Sequence, residues 1–158
     1  MKPKQHADYI SPSAIVSARM SKVKSKDTQP EMLVRRFLHQ AGFRYRLHTS
    51  TLPGSPDIVL AKYRTVVFIH GCFWHQHNVR CGKRITPKEN ISYWKPKLER
   101  TVQRDKNNQL ALEKAGWRVL VVWECELKRA VRGATLSRLT ANILGDEWKW
   151  ESAFQDFQ

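Results

Sequence analysis

Apolar positions first recur at helical spacing. Leu33, Phe37, Leu38 and Ala41 fall on one side of a 3.6-residue period, which predicts a helix. Thr28-Gln29-Pro30-Glu31 opens it: Thr28 can cap, Pro30 is tolerated in the first turn, and Glu31 holds the third position of a capping box. Gly42 can end it. From Phe43 to His48 the pattern changes to alternation, as in a strand, and Thr51 to Pro56 is a turn by its Pro and Gly content. Asp57-Ile58-Val59-Leu60 starts a second strand and Thr65 to His70 forms a third. Their tight connection through Lys62-Tyr63-Arg64 predicts an antiparallel hairpin.

Asn90 or Ser92 can cap a long helix that runs to about Ala115 and stops at Gly116, with Pro96 acceptable only near the first turn. Trp117 to Trp123 is nearly all apolar and is expected to be a strand buried on both faces. A last helix spans about Thr135 to Leu144. The order of helix, three strands, helix, strand and helix predicts an α/β architecture, a mixed β-sheet flanked by helices on both sides.

Composition narrows the class. The chain has 158 residues, 41% of them hydrophobic and six of them Trp, enough for one folded domain with a core. No apolar run approaches the roughly 18 residues of a membrane span, and no signal-peptide core follows the start, so a cytoplasmic protein is expected. Lys plus Arg number 28 against 14 Asp plus Glu, a formal charge of +14. A polyanion is the expected partner, with nucleic acid ahead of an anionic membrane surface because no basic amphipathic helix stands out.

The charge is unevenly placed. Between Met32 and Lys88 the only acid is Asp57, among ten Lys or Arg. A lone carboxylate in such a field binds a divalent cation if phosphate oxygens complete the shell; the plainer alternative is that Asp57 ends a turn. Residues 1–27, with Lys2, Lys4, Arg19, Lys22, Lys24 and Lys26, read as a flexible basic arm before a single domain over 28–158. Asp146, Glu147, Glu151 and Asp156 make the C-terminal end the least suited to DNA.

Other residues offer chemistry of their own. Cys72 and Cys81 flank a loop holding His75 and His77, and Cys125 follows the last strand. In a cytoplasmic protein, three thiolates and one imidazole suit a closed structural zinc site; three unrelated buried cysteines are the alternative. His70, His75 and His77 fall within eight residues; if zinc takes one, two remain, and a neutral imidazole beside a metal-bound phosphate can accept a proton from water, or His70 is a strand-end residue satisfied by the backbone. Glu31 is explained by its capping box unless that helix end abuts the hairpin. Phe73-Trp74, inside the loop between Cys72 and Cys81, and Tyr93-Trp94, amid Lys88, Lys95 and Lys97, suit base stacking or wedging into a duplex, against the alternative of core packing.

Three strings together are specific. Pro53-Gly54-Ser55-Pro56-Asp57-Ile58-Val59, Val67-Phe68-Ile69-His70-Gly71-Cys72-Phe73-Trp74-His75 and Trp117 to Cys125 resemble the very-short-patch repair (Vsr) mismatch endonucleases, from about Ser17 to Leu127. The resemblance implies a restriction-endonuclease-like fold and nicking of one strand of duplex DNA next to a T·G mismatch left by deamination of 5-methylcytosine. It implies two catalytic Mg²⁺ ions, with Asp57 as the metal-bridging carboxylate and Ile69 supplying its backbone carbonyl. His75 matches the general base, His70 a second active-site histidine, and Glu31 a carboxylate that orients water at the metals. Cys72, His77, Cys81 and Cys125 match the ligands of one structural Zn²⁺. Phe73, Trp74 and Trp94 match aromatics that wedge beside the mismatch, Met20 a residue of the N-terminal arm entering the minor groove, and Lys97 a mismatch contact. Thr101 stands where an Asn can read the bases and lacks the amide's paired groups, which bears on sequence context and strictness for T·G. The expected setting is a monomer at the bacterial nucleoid, working with mismatch-repair proteins such as MutL. The competing functions are a zinc-stabilised DNA-binding module without catalysis and a nuclease of this fold for another DNA structure.

Overall fold

The computed structural model describes residues 26–78, 81 and 90–145. The expected arm, Met20 within it, and the acidic C-terminal residues therefore lie outside the described residues, save for 26 and 27.

Helix α1 spans Gln29–Gln40, strand β1 Arg46–Leu47, β2 Ile58–Leu60 and β3 Thr65–His70. Helix α2 covers Ile91–Lys114, β4 Arg118–Trp123 and α3 Arg132–Leu144. Short 3₁₀ turns at Ala61–Tyr63 and Glu124–Leu127 complete the order. The four strands lie in the order β1-β2-β3-β4; β1–β2 and β2–β3 are antiparallel and β3–β4 parallel. The sheet is mixed, as expected, because a parallel pair needs a crossover and α2 supplies it.

Alternation along the strands sorts the core into two faces. Ile58, Leu60, Val67 and Val122 pack with Val34 and Leu38 of α1 and with Leu136, Leu139 and Ile143 of α3. Val59, Val66 and Phe68 point the other way, onto Leu112 of α2, with Val119 and Val121 against them. Leu112 is wholly buried, so truncating it to Ala would cost about 2–5 kcal/mol and loosen α2 from the sheet. Both long helix ends close in the same way. Gly42 N–H reaches the His39 carbonyl and Phe43 N–H the Leu38 carbonyl after α1; Gly116 and Trp117 do the same to Glu113 and Leu112 after α2.

Four local expectations change. The strand expected over Phe43 to His48 pairs only at Arg46–Leu47, because Phe43 turns into the core and the Tyr45 hydroxyl donates to the Arg35 carbonyl. β4 has both faces covered, but it is an edge strand, so its side chains are half-buried or exposed except Val122. Asn90 sits at the start of α2 in a left-handed conformation, and its side chain caps nothing. The last helix begins at Arg132, a turn earlier than Thr135.

Candidate active site and metal centre

The sheet delivers its polar residues to the ends of β2 and β3, on the side covered by α2. Asp57 immediately precedes β2, and its Oδ2 accepts the Ile69 N–H at 2.7 Å. Among the described residues, nothing donates a hydrogen bond to its other oxygen. Burial pushes the Asp57 carboxyl above its usual range; the Ile69 N–H opposes this, the nearby Glu31 charge adds to it, and His48 and Arg35 oppose it. A half-buried carboxylate with one oxygen free is a fitting hard ligand for Mg²⁺. The turn before it depends on Gly54, which has φ +74° and lies so close to α2 that a Cβ would come within 2.9 Å of the Asn108 side chain.

His70 ends β3 and packs edge-on to Trp123, with ring centroids 5.3 Å apart. It stacks on His75 at 3.8 Å with 7° between the rings. Burial lowers its pKa to about 4; the neighbouring His75 adds to the drop and Asp105 opposes it, so His70 is a neutral ring at pH 7. His75 Nδ1 lies 2.5 Å from Asp105 Oδ2 on α2. With Nδ1–H donated to that carboxylate, Nε2 is left as a proton acceptor.

Asp57, Ile69, His70, His75 and Asp105 line one cleft of about 930 Å³, and Glu31, Trp74, Lys97, Thr101 and Glu124 share it. The start of α1 thus abuts the hairpin, the condition for Glu31 to be more than a cap. Its carboxylate does cap: Oε1 accepts from the Thr28 hydroxyl at 2.8 Å and Oε2 from the Asp27 N–H at 3.1 Å, while its own N–H points to Thr28 Oγ1 at 3.5 Å. The ionic partner, Arg35, was not foreseen: Nη2 meets Glu31 Oε2 at 2.7 Å, and both side chains are buried. Asp105 was missed as well. Its signal was present, since 97, 101 and 105 are four apart and so share one helix face.

The parallel register fixes the second cluster. His70 pairs with Trp123, so Cys72 and Cys125, two positions further along each strand, leave the sheet side by side. Sγ of Cys125 is 3.3 Å and Sγ of Cys72 is 3.7 Å from His77 Nδ1. Ligand atoms of Cys72, His77, Cys81 and Cys125 all lie within 4.8 Å of one another, a Cys₃His set suited to one tetrahedral zinc. His77 is steadied by stacking on Trp123 at 4.1 Å. Burial pushes the Cys72 thiol up to about 12 and raises Cys125 too, which a bound dication would reverse.

Phe73, Trp74 and Trp94 form one edge-to-face cluster with centroids 5.1 to 5.9 Å apart. Trp94 is only 7% exposed and supports the cluster from beneath, while Phe73 and Trp74 are half-buried. Lys97 Nζ lies 5.2 to 5.8 Å from the ring centres of Tyr93, Trp94 and Trp74, and donates to the Tyr93 hydroxyl at 3.1 Å. The Thr101 hydroxyl donates back to the Lys97 carbonyl at 3.0 Å.

The model of the family described as DNA mismatch endonuclease Vsr matches residues 7–81. The Escherichia coli protein named DNA mismatch endonuclease Vsr is 37% identical over 132 residues, covering 84% of this chain and 81% of its own length. The chain belongs to the Vsr family. Two further relatives extend it: the type II nicking enzyme V.NmeAIP of Neisseria meningitidis serogroup A, 51% identical over 78% of this chain and 88% of its own, and V.XorIIP of Xanthomonas oryzae pv. oryzae, 50% identical over 79% and 88%. This Vsr protein is accordingly a DNA endonuclease, with DNA as its partner. Among the described residues, no helix is long and apolar enough to cross a membrane.

Proposed function

We propose that the protein is a Mg²⁺-dependent endonuclease that nicks one strand of duplex DNA next to a T·G mismatch arising from 5-methylcytosine deamination, and so starts very-short-patch repair. One observation carries the reading: a half-buried carboxylate, Asp57, shares a cleft with a histidine, His75, already oriented by a second carboxylate, Asp105.

Asp57 and the Ile69 carbonyl would hold Mg²⁺, taken as two ions, at the scissile phosphate. When bound, the ions supply charge stabilisation to the attacking and leaving oxygens of an in-line displacement. His75 Nε2 takes the proton of the attacking water as that oxygen bonds to phosphorus. The bond from phosphorus to the 3′ oxygen breaks, leaving a 5′-phosphate and, after protonation, a 3′-hydroxyl. His70, neutral and stacked on His75, holds that ring in plane, and Glu31 orients water at the cleft rim. Cys72, His77, Cys81 and Cys125 would hold a structural zinc that ties the loop carrying His75 to the end of β4.

Phe73 and Trp74, seated on Trp94, are the wedge beside the mismatch; Lys97 contacts the mismatched pair, and Met20 on the N-terminal arm approaches from the minor groove. The architecture is taken as restriction-endonuclease-like, with residues 28–158 as one domain acting as a monomer at the nucleoid in the cytoplasm, in company with mismatch-repair proteins such as MutL.

A second reading, nicking in a different sequence context or at another lesion, is favoured at one position. Thr101 spends its hydroxyl proton on the Lys97 carbonyl and cannot pair with a base as an amide would. The same site chemistry serves both readings. Incubating Asp57→Ala with T·G duplex and Mg²⁺ tests the assignment: loss of nicking is expected, and undiminished nicking would sink it.

A further inference from the structure

The buried polar group under the cleft rim is larger than a helix cap. Arg35 lies one turn beyond Glu31 on α1, and both are about 95% buried, at 5% and 4% exposure. Arg35 Nη2 spends its two protons on Glu31 Oε2 at 2.7 Å and His48 Nε2 at 2.9 Å. Nη1 reaches Asp27 Oδ1 and the Met32 sulfur. Among the described residues, its Nε is buried without a partner. His48 comes from the loop after β1 and adopts a left-handed backbone, φ 45°, to bring its ring there.

This is a poor device for stability alone. A buried ion pair is often no better than apolar residues of the same volume, and it is poorer still with an unpaired N–H and a strained backbone. Its geometry suits a different task. Glu31 uses three of about four carboxylate acceptor sites on Arg35, Asp27 and Thr28, and the remaining site belongs to Oε1, on a residue that lines the cleft. A carboxylate held at both oxygens cannot rotate, so that acceptor has one direction.

We propose that Arg35, braced by His48, is a positioning residue for nicking: it fixes Glu31 as a rigid acceptor at the cleft rim. The inference rests on the endonuclease reading above and adds to it two residues that act through Glu31. A misplacement of about 1 Å at such a group costs on the order of a hundredfold in rate.

The test is single-turnover nicking of a T·G duplex with Mg²⁺ at saturating enzyme. Arg35→Met is expected to lower the rate about 10- to 100-fold with DNA affinity unchanged. Arg35→Lys, which can still pair with Glu31, should recover much of the loss. In a Glu31→Gln background Arg35→Met should cost less than about twofold, because the two act as a unit. Should Arg35→Met fail to fold, His48→Leu carries the same test with a smaller, severalfold drop that likewise vanishes beside Glu31→Gln. Multiplicative losses, or a lowered melting temperature with an unchanged rate, would overturn the inference alone. Failure of the wild-type chain to nick would overturn the parent reading together with it.

Discussion

His75 Nδ1 and Asp105 Oδ2 lie 2.5 Å apart although thirty residues separate them in the chain. The contact joins the loop after β3 to the middle of α2 and fixes which imidazole nitrogen faces the cleft. Asp105→Asn keeps the shape but can stabilise the wrong tautomer and no longer supports a positive ring. By the precedent of oriented catalytic histidines, the nicking rate is expected to fall about 10²- to 10⁴-fold with little change in DNA affinity. A rate within about threefold of wild type would remove Asp105 from the mechanism.

His70 gives a pH signature. Its folded pKa of about 4 lies below the ordinary 6.5, so the unfolded chain binds more protons between those values. Its contribution to stability is full above pH 6.5 and is lost as pH falls through about 4, up to about 3 kcal/mol in all. Denaturant unfolding at pH 7 and pH 5 should therefore show a larger loss for the wild type than for His70→Gln. Equal losses would mean that burial does not hold this ring neutral.

The aromatic cluster makes a claim about specificity. Trp74 packs against Trp94, with the Lys97 ammonium group about equally close to both rings, and is half-buried at the cleft. Trp74→Ala is expected to reduce the preference for T·G over C·G duplex about 10- to 100-fold, the value of one stacked or wedged aromatic. The salt dependence of nonspecific binding should hardly move, since no phosphate contact is removed. Parallel losses in both would return Trp74 to a packing role.

The Cys₃His cluster should bind one zinc per chain. Its loss frees the loop carrying His75 from the end of β4. Chelation, or Cys81→Ser, is expected to lower the melting temperature on the order of 10 °C, as loss of several kcal/mol does at this size. A metal-free chain with the same melting temperature would leave the cluster without a structural role.

Much of this was legible in the chain, for identifiable reasons. β3 was read in full because Thr65 to His70 is a β-branched apolar run with a sharp start, and the ends of α1 and α2 because Gly42 and Gly116 stop them. Asp57 stood out as the one acid in a basic stretch. Asp105, Arg35 and His48 did not, since each looks like ordinary surface charge until the fold brings its partner from another element. β1 was overdrawn because alternation from Phe43 to His48 also arises when a helix end tucks one aromatic into the core. For Trp94 the sequence leaves wedge and core packing both open, because it shows the basic neighbours and not the rings that bury it.

The most direct measurement is nicking of two duplexes that differ by one base, T·G against C·G, with and without Mg²⁺, by the wild type and Asp57→Ala. The expected result is a single nick in the T-containing strand, ending in 5′-phosphate and 3′-hydroxyl, that requires Mg²⁺ and vanishes in Asp57→Ala. Tight binding of the T·G duplex without scission, or nicking that persists in Asp57→Ala, would contradict it.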